Sequence, residues 1–413
     1  MKPRQYIENA CWLWSRIGLG KLHSQSAPPR PPVQDSACRV TSGALKLLRV
    51  ILNNCYNSRI VVQGEVMTLT GPFCKLALAG LAVLALGAHA QTSELNVYSA
   101  RHYPSDEALY AGFTRSTGIQ IRRVDADDAA VLARLQGEGS ASPADVVLLV
   151  DAARLWRAEV DGLFQPLRSR LLEARIPATL RGKDSGEGSQ WFGFSTRARV
   201  IVYNKAGVKK EDADTYAELG DPKNKGKVCT RSGSHPYNLS LFGAQLEHLG
   251  EAKTEAWLRG VVANMARPPR GGDTDQIKAV ASGECQIALA NTYYLARLMR
   301  SDKADDRAVI ERIGMVFPDQ LGAGTHVNIA GAAVARHAPH RAAAVLFLEY
   351  LAGDEAQAHF ANGNNEWPAV RGLKLANPAL DAMGPFKAET LPVATIGMNQ
   401  IKVQRMLDRV GYK

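Results

Sequence analysis

Three short stretches of this chain carry tyrosine in the same setting. Each follows an apolar, strand-like run and precedes a helix-like one: Arg101-His102-Tyr103, Ser234-His235-Pro236-Tyr237 and Asn291-Thr292-Tyr293-Tyr294. Open α/β sheets bind ligands at such corners, outside the carboxyl ends of the strands. A phenolate is a hard anionic oxygen donor, suited to a highly charged cation. A phenol's pKa is ordinarily about 10, and both a helix N-terminus and a bound cation favour the ionised form. Taken alone, adjacent tyrosines are more often packed rings than ligands. Four phenols and up to two imidazoles gathered at strand-to-helix corners shift that balance, because core tyrosines have no reason to collect there. Three or four phenolates match the charge of Fe(III), and a neutral imidazole can complete such a site. Ca(II) and Mg(II) would call for carboxylates and carbonyls. Zn(II) or Cu(II) would call for more His or Cys. With fewer protein ligands, a small anion such as carbonate, held by Arg101 and helix amides, would have room.

The elements that position these corners are legible by pattern. Glu94–Ala100, Ile119–Val124 and Ala144–Val150 read as strands, and the last is apolar throughout, like a strand buried on both faces. Helices are predicted between them: Ser105 caps one that Gly118 closes, and a second covers Ala129–Leu135. A further helix, from Ala152 to about Val160, follows the third strand. This β-α-β-α-β run opens a doubly wound α/β lobe. Trp191–Phe194 and Val200–Asn204 read as two strands crossing into a second lobe, where Lys227–Arg231 and Cys285–Ala290 are strands. Asn291 or Thr292 is the expected N-cap of the helix after the tyrosine pair. Gly314–Pro318 and Val327–Gly331 read as the return crossing, and a helix near Ile401–Arg409 closes the chain.

The formal charge of +10 is unevenly placed: residues 1–90 hold ten Lys/Arg against three Asp/Glu, the remainder forty against thirty-seven. No basic stripe with interleaved aromatics accompanies it, which argues against nucleic acid. Residues 67–90, MTLTGPFCKLALAGLAVLALGAHA, have the charged start, short apolar run and A-x-A site of a cleavable signal peptide. Cleavage is expected after Ala90, giving export through the inner membrane. Residues 1–66 read as a non-native or disordered leader, with translation expected to start at Met67. Four of six cysteines fall before residue 90; Cys229 and Cys285 remain, each eight residues before a corner tyrosine. In an oxidising compartment that spacing predicts a Cys229–Cys285 disulfide if the two strands are neighbours in register; the alternative is two buried thiols.

Taken together, the stretches ARHYPSDEALYAGFTRSTGI, SPADVVLLVDAARLWRAEVDGLFQP, WFGFSTRARVIVYNK, SGSHPYNLS, GGDTDQIKAVASGE, ANTYYLARL and GTHVNIAG resemble the ferric-ion-binding substrate-binding proteins of bacterial iron ABC importers. The resemblance runs over nearly the whole chain after residue 90. It implies a two-lobed periplasmic binding protein fold similar to the transferrin lobes, two doubly wound α/β lobes joined by a two-strand hinge. Lobe 1 would take residues 91–198 and 316–365, lobe 2 residues 199–315 and 366–413. The resemblance implies Tyr237, Tyr293 and Tyr294 as iron ligands. His102 and Tyr103 join them in the branch with an N-terminal His-Tyr, whereas an anion takes their place elsewhere. Arg297, one turn past Tyr294, and Arg197 or Arg199 are candidates to support the ligands; equally, they are solvated charges. The implied molecule is a monomer and not an enzyme, handing Fe(III) to an inner-membrane ABC permease. Two other readings stay open. One is a Tyr/His-ligated ferric dioxygenase, the other a binding protein for a small anion or organic solute. His248, His326, His337, His340 and His359 stand at no ligand spacing and read as surface or structural residues.

Overall fold

The computed structural model describes residues 59–62, 65–68, 94–101 and 103–413. The chain divides into two units, Met1–His89 and Ala90–Lys413. In the first, strands β1 (Arg59–Val62) and β2 (Glu65–Thr68) form an antiparallel hairpin. The expected leader and signal peptide otherwise lie outside the described residues, as does His102. Among the described residues no helix is long and apolar enough to cross a membrane.

The second unit is built on a nine-stranded mixed sheet. Strand β3 (Glu94–Ser99) lies between β4 (Gln120–Asp125) and β5 (Val146–Leu149), parallel to both. The intervening helices are α1 (Asp106–Thr117) and α2 (Asp128–Glu138). Gly118 ends α1 in the left-handed conformation, φ 75°, which a residue without Cβ adopts at little cost. All four side chains of β5 are buried, as an apolar run covered on both faces requires. Helix α3 (Ala152–Val160) follows, its first turn capped by Asp151, whose carboxylate accepts the Ala153 N–H.

The crossing corrects the sequence reading. One 13-residue strand, β6 (Phe192–Asn204), replaces the two expected strands. The two expected strands leave the polar run Ser195-Thr196-Arg197 between them. These groups instead find partners inside the protein: Ser195 donates to Glu366, and Arg197 to the Val150 carbonyl. The first half of β6 pairs with β10 (Val327–Val334) and β11 (Trp367–Pro368). The second half pairs with β8 (Ile287–Asn291) and β9 (Ile313–Val316). Strand β7 (Val228–Cys229) then lies parallel to β8 at the far edge.

Apolar burial follows the same division. One pair of clusters gathers β3, β5, α3, the start of β6 and helix Arg341–Leu351, with Phe113, Phe192 and Phe347 fully covered. The other pair gathers the end of β6, β7 and β8 with the helices around them, through Ile201, Phe242, Ile277 and Met406. Burying such a side chain contributes about 1.5–3 kcal/mol, so each half has a core of its own. Helix Val393–Met398 packs against both, with Val393 and Ile396 in the first core and Gly243 close to Ile396.

Cys229 and Cys285 are bonded, their Cα atoms 5.8 Å apart. The register behind the expectation is shifted: Cys229 lies opposite Ala288, and Cys285 precedes the first residue of β8.

Candidate metal centre

Two helices carry three of the tyrosines. The helix Pro236–Leu249 starts on a proline, whose fixed φ and missing N–H suit the first turn. Its N-cap is His235, whose Nδ1 accepts the Tyr237 N–H at 3.2 Å. His235 is therefore a capping residue, and burial, with Arg231 and Arg199 nearby, pushes its pKa down to about 3. The helix Thr292–Met299 follows β8 directly and carries Tyr293 and Tyr294 as its second and third residues. Asn291 is its N-cap by backbone geometry, but the side chain makes no capping bond and accepts from Arg199 Nη1 at 3.1 Å. Likewise Ser105 precedes α1 without capping it and contacts Asn364 instead.

The corners converge. The Tyr293 hydroxyl donates to the Tyr237 hydroxyl at 2.9 Å. The rings of Tyr293 and Tyr294 lie 4.3 Å apart, and Tyr103 meets Tyr293 edge-on at 6.4 Å. Tyr103, Tyr237 and Tyr294 line a cavity of about 460 Å³, together with Ser105, Asn364 and Arg297. Tyr293 is buried behind them. The phenols thus come from both halves of the fold. Among the described residues there is no group of three or more His, Cys, Asp and Glu that could hold a metal; the polar side chains lining this cavity include the hydroxyls of Tyr103, Tyr237 and Tyr294.

Burial pushes the phenols up. Tyr103 rises to about 12, burial leading and Glu366 adding to it. Burial and the neighbouring phenols raise Tyr237 and Tyr293 well above the ordinary value, against the pull of Arg197. All three are neutral at pH 7 without a cation. Guanidiniums crowd Tyr237 none the less: Arg231 lies 5.1 Å from its ring centre, Arg197 5.5 Å and Arg199 6.0 Å. Arg297 lies 5.6 Å from that of Tyr294. Arg197 and Arg199 are almost fully buried, not solvated strand charges.

Arg101 is placed differently from the anion-holding role expected of it. Its Nε donates to Asp106 at 2.9 Å and its Nη1 to Glu366 at 3.2 Å, both partners buried. Those carboxylates engage the guanidinium outside the cavity lining, where Arg297 is the arginine present. Four of the five histidines set aside as structural have partners of their own. His248 and His326 meet Glu389, His340 meets Asp145, and His359 meets Asp106. Sequence reasoning missed Arg231, whose guanidinium lies against the Tyr237 ring, and Asn238 and Asp273, which both bond to Arg199. Their signal was weak: polar residues at the ends of elements flanking the tyrosine corners.

The comparisons with known proteins agree with this architecture. Residues 108–383 match the family described as bacterial extracellular solute-binding protein. Iron uptake protein A1 of Synechocystis sp. is 46% identical over 323 residues, 78% of this chain and 88% of that protein. A Trichodesmium protein solved in complex with iron and citrate ligands is 47% identical, with a TM-score of 0.74 over 78% of this chain and all of that one. The ferric binding protein from Campylobacter jejuni is 35% identical, with a TM-score of 0.73 over 77% of this chain and all of that one. These relatives are named as uptake and binding proteins, which leaves the dioxygenase reading without support. The chain belongs to the bacterial extracellular solute-binding proteins, in the group that holds the iron uptake and ferric-binding proteins.

Proposed function

We propose that this protein is a periplasmic Fe(III)-binding protein that takes the ion into the cleft through tyrosinate ligands and delivers it to an inner-membrane ABC permease. One observation carries the reading. Hydroxyls from two separate strand-to-helix corners meet at 2.9 Å beside a cavity that Tyr103 and Tyr294 also line. Tyr237, Tyr293, Tyr294 and Tyr103 are the phenolate donors of the proposal, with His102 as a further donor. The guanidiniums around Tyr237 and Tyr294 offset the negative charge of a multiply deprotonated site. Where the protein leaves a coordination position open, a small anion such as carbonate fills it, with Arg297 the cation on the cavity wall. Lobe 1 takes residues 91–198 and 316–365 and lobe 2 residues 199–315 and 366–413, with Val393–Met398 reaching back onto lobe 1. Closure of the lobes completes the coordination sphere; reopening with proton uptake by the phenols releases the ion.

The test is a visible absorption spectrum of residues 91–413 titrated with ferric citrate. Tyrosinate-to-iron charge transfer should give an intense band that saturates at one equivalent and is lost in Tyr293→Phe and Tyr294→Phe. Absence of the band, with retained affinity for citrate or another organic solute, would move the protein to the organic-solute class.

A further inference from the structure

Asp273 is the first residue of the helix Asp273–Ser282, and its side chain is fully buried. A buried carboxylate is costly unless charge-assisted hydrogen bonds satisfy it. Asp273 has three donors, and each leads to a tyrosine corner. Oδ2 accepts the Asn291 N–H at 2.8 Å, at the point where β8 turns into the helix carrying Tyr293 and Tyr294. Oδ2 also pairs with Nη1 of Arg199. The other arm of Arg199, Nη2, donates at 2.9 Å to Oδ1 of Asn238, the residue after Tyr237. Oδ1 of Asp273 accepts from Arg231 at 3.1 Å, and that guanidinium lies 5.1 Å from the Tyr237 ring centre. Asn238 closes the circuit, donating to the carbonyls of Arg231 and Ser232 on the approach to Tyr237.

An ion pair serving general stability needs only one partner. Here a single carboxylate references a backbone N–H at one ligand-bearing corner and two guanidiniums against the ring at another. We infer that Asp273 is a positioning residue for the metal-binding phenols. Its carboxylate fixes the Tyr237 corner relative to the Tyr293–Tyr294 corner and holds Arg199 and Arg231 against the Tyr237 ring. The inference rests on the reading of these phenols as Fe(III) ligands. Asparagine at 273 still accepts from the Asn291 N–H but loses the charge that holds both guanidiniums. Glutamate keeps the charge but pushes it one methylene further, into Asn291. Both changes would shift the tyrosine corners relative to one another without removing any phenol.

The experiment compares wild type, Asp273→Asn and Asp273→Glu loaded from ferric citrate, reading the charge-transfer band and affinity against citrate. Partners behind metal ligands typically contribute about 10–100-fold to affinity. The expected result is at least about a tenfold loss of affinity in both variants, with a displaced band maximum. Loss of stability alone would lower the melting temperature and leave the band maximum where it was. A folded Asp273→Asn protein with wild-type band and affinity overturns the inference. Should that variant fail to fold, Arg231→Gln decides. Its side chain is partly exposed and its loss leaves the Asp273–Arg199–Asn291 contacts intact. A displaced band supports the inference, and an unchanged one overturns it. A wild-type protein without any band refutes the iron reading itself and the inference with it. A wild-type band unaffected by the variants refutes the inference alone.

Discussion

Loading the protein with ferric iron should release protons, and the number released is set by the hydrogen bonding and burial of the phenols. The Tyr293 hydroxyl donates a hydrogen bond to that of Tyr237, and burial holds both hydroxyls well above the ordinary phenol range. Both enter the reaction protonated at neutral pH. If both leave it as phenolates, at least two protons are lost per ion bound. Each lost proton steepens the pH dependence by a factor of about ten per pH unit, about 1.4 kcal/mol. Two therefore make affinity about a hundredfold higher at pH 7.5 than at pH 6.5. The sign is fixed: the free site prefers protons, the loaded site excludes them, so binding strengthens as pH rises. Tyr103, raised to about 12, adds a third proton if it joins the sphere. The assay is a pH-stat titration of the metal-free protein with ferric citrate, corrected for the protons that citrate takes up when it gives up the ion. Tyr237→Phe should lower the count by one. A wild-type count below two, or the same count in Tyr237→Phe, would refute the reasoning, because neither fits two neutral phenols becoming ligands.

Tyr293→Phe and Tyr294→Phe should part company in the metal-free protein. Removing the buried Tyr293 hydroxyl takes away the hydrogen bond that Tyr237 accepts and costs about 1 kcal/mol. The half-buried Tyr294 hydroxyl lines the cavity, and its loss should cost under about 0.5 kcal/mol; urea unfolding of both variants checks the contrast. The disulfide closes a loop between residues 56 apart in sequence, which the chain-entropy relation values at about 4 kcal/mol. Cys229→Ala/Cys285→Ala should lose about that much, and an equal unfolding midpoint with and without reductant would count against the bond. Burial works to raise the Glu389 carboxyl, yet its contacts with His326 and His248 win and hold it at about 2. A lowered carboxylate pKa stabilises the fold above the unfolded value near 4.5, and the effect is lost as pH falls through 2. Glu389→Gln should therefore cost up to about 3 kcal/mol near pH 6, with the difference from wild type closing near pH 2. A gap that persists at pH 2 would show that packing, not charge, is responsible.

Residue pattern alone fixed the local structure and the candidate donors. The alternation of Glu94–Ser99, the all-apolar Val146–Leu149 and the helix Ala152–Val160 follow from hydrophobic period and capping, which act within a few residues of chain. The corner tyrosines were legible because a ligand-bearing turn must lie between a strand and a helix, and both flanks show their period. Three-dimensional packing decided the rest. Whether Ser195-Thr196-Arg197 breaks a strand or lines one depends on partners far along the chain, Glu366 and Val150, which no local window contains. Arg101 faces two carboxylates instead of an anion because Glu366, 265 residues away, folds against it. His235 caps a helix through a bond to the backbone two residues on, a choice that its residue type leaves open. The circuit through Asp273 belongs to the tertiary structure entirely. A buried charge is tolerable only where several donors converge, and convergence is a property of the folded chain.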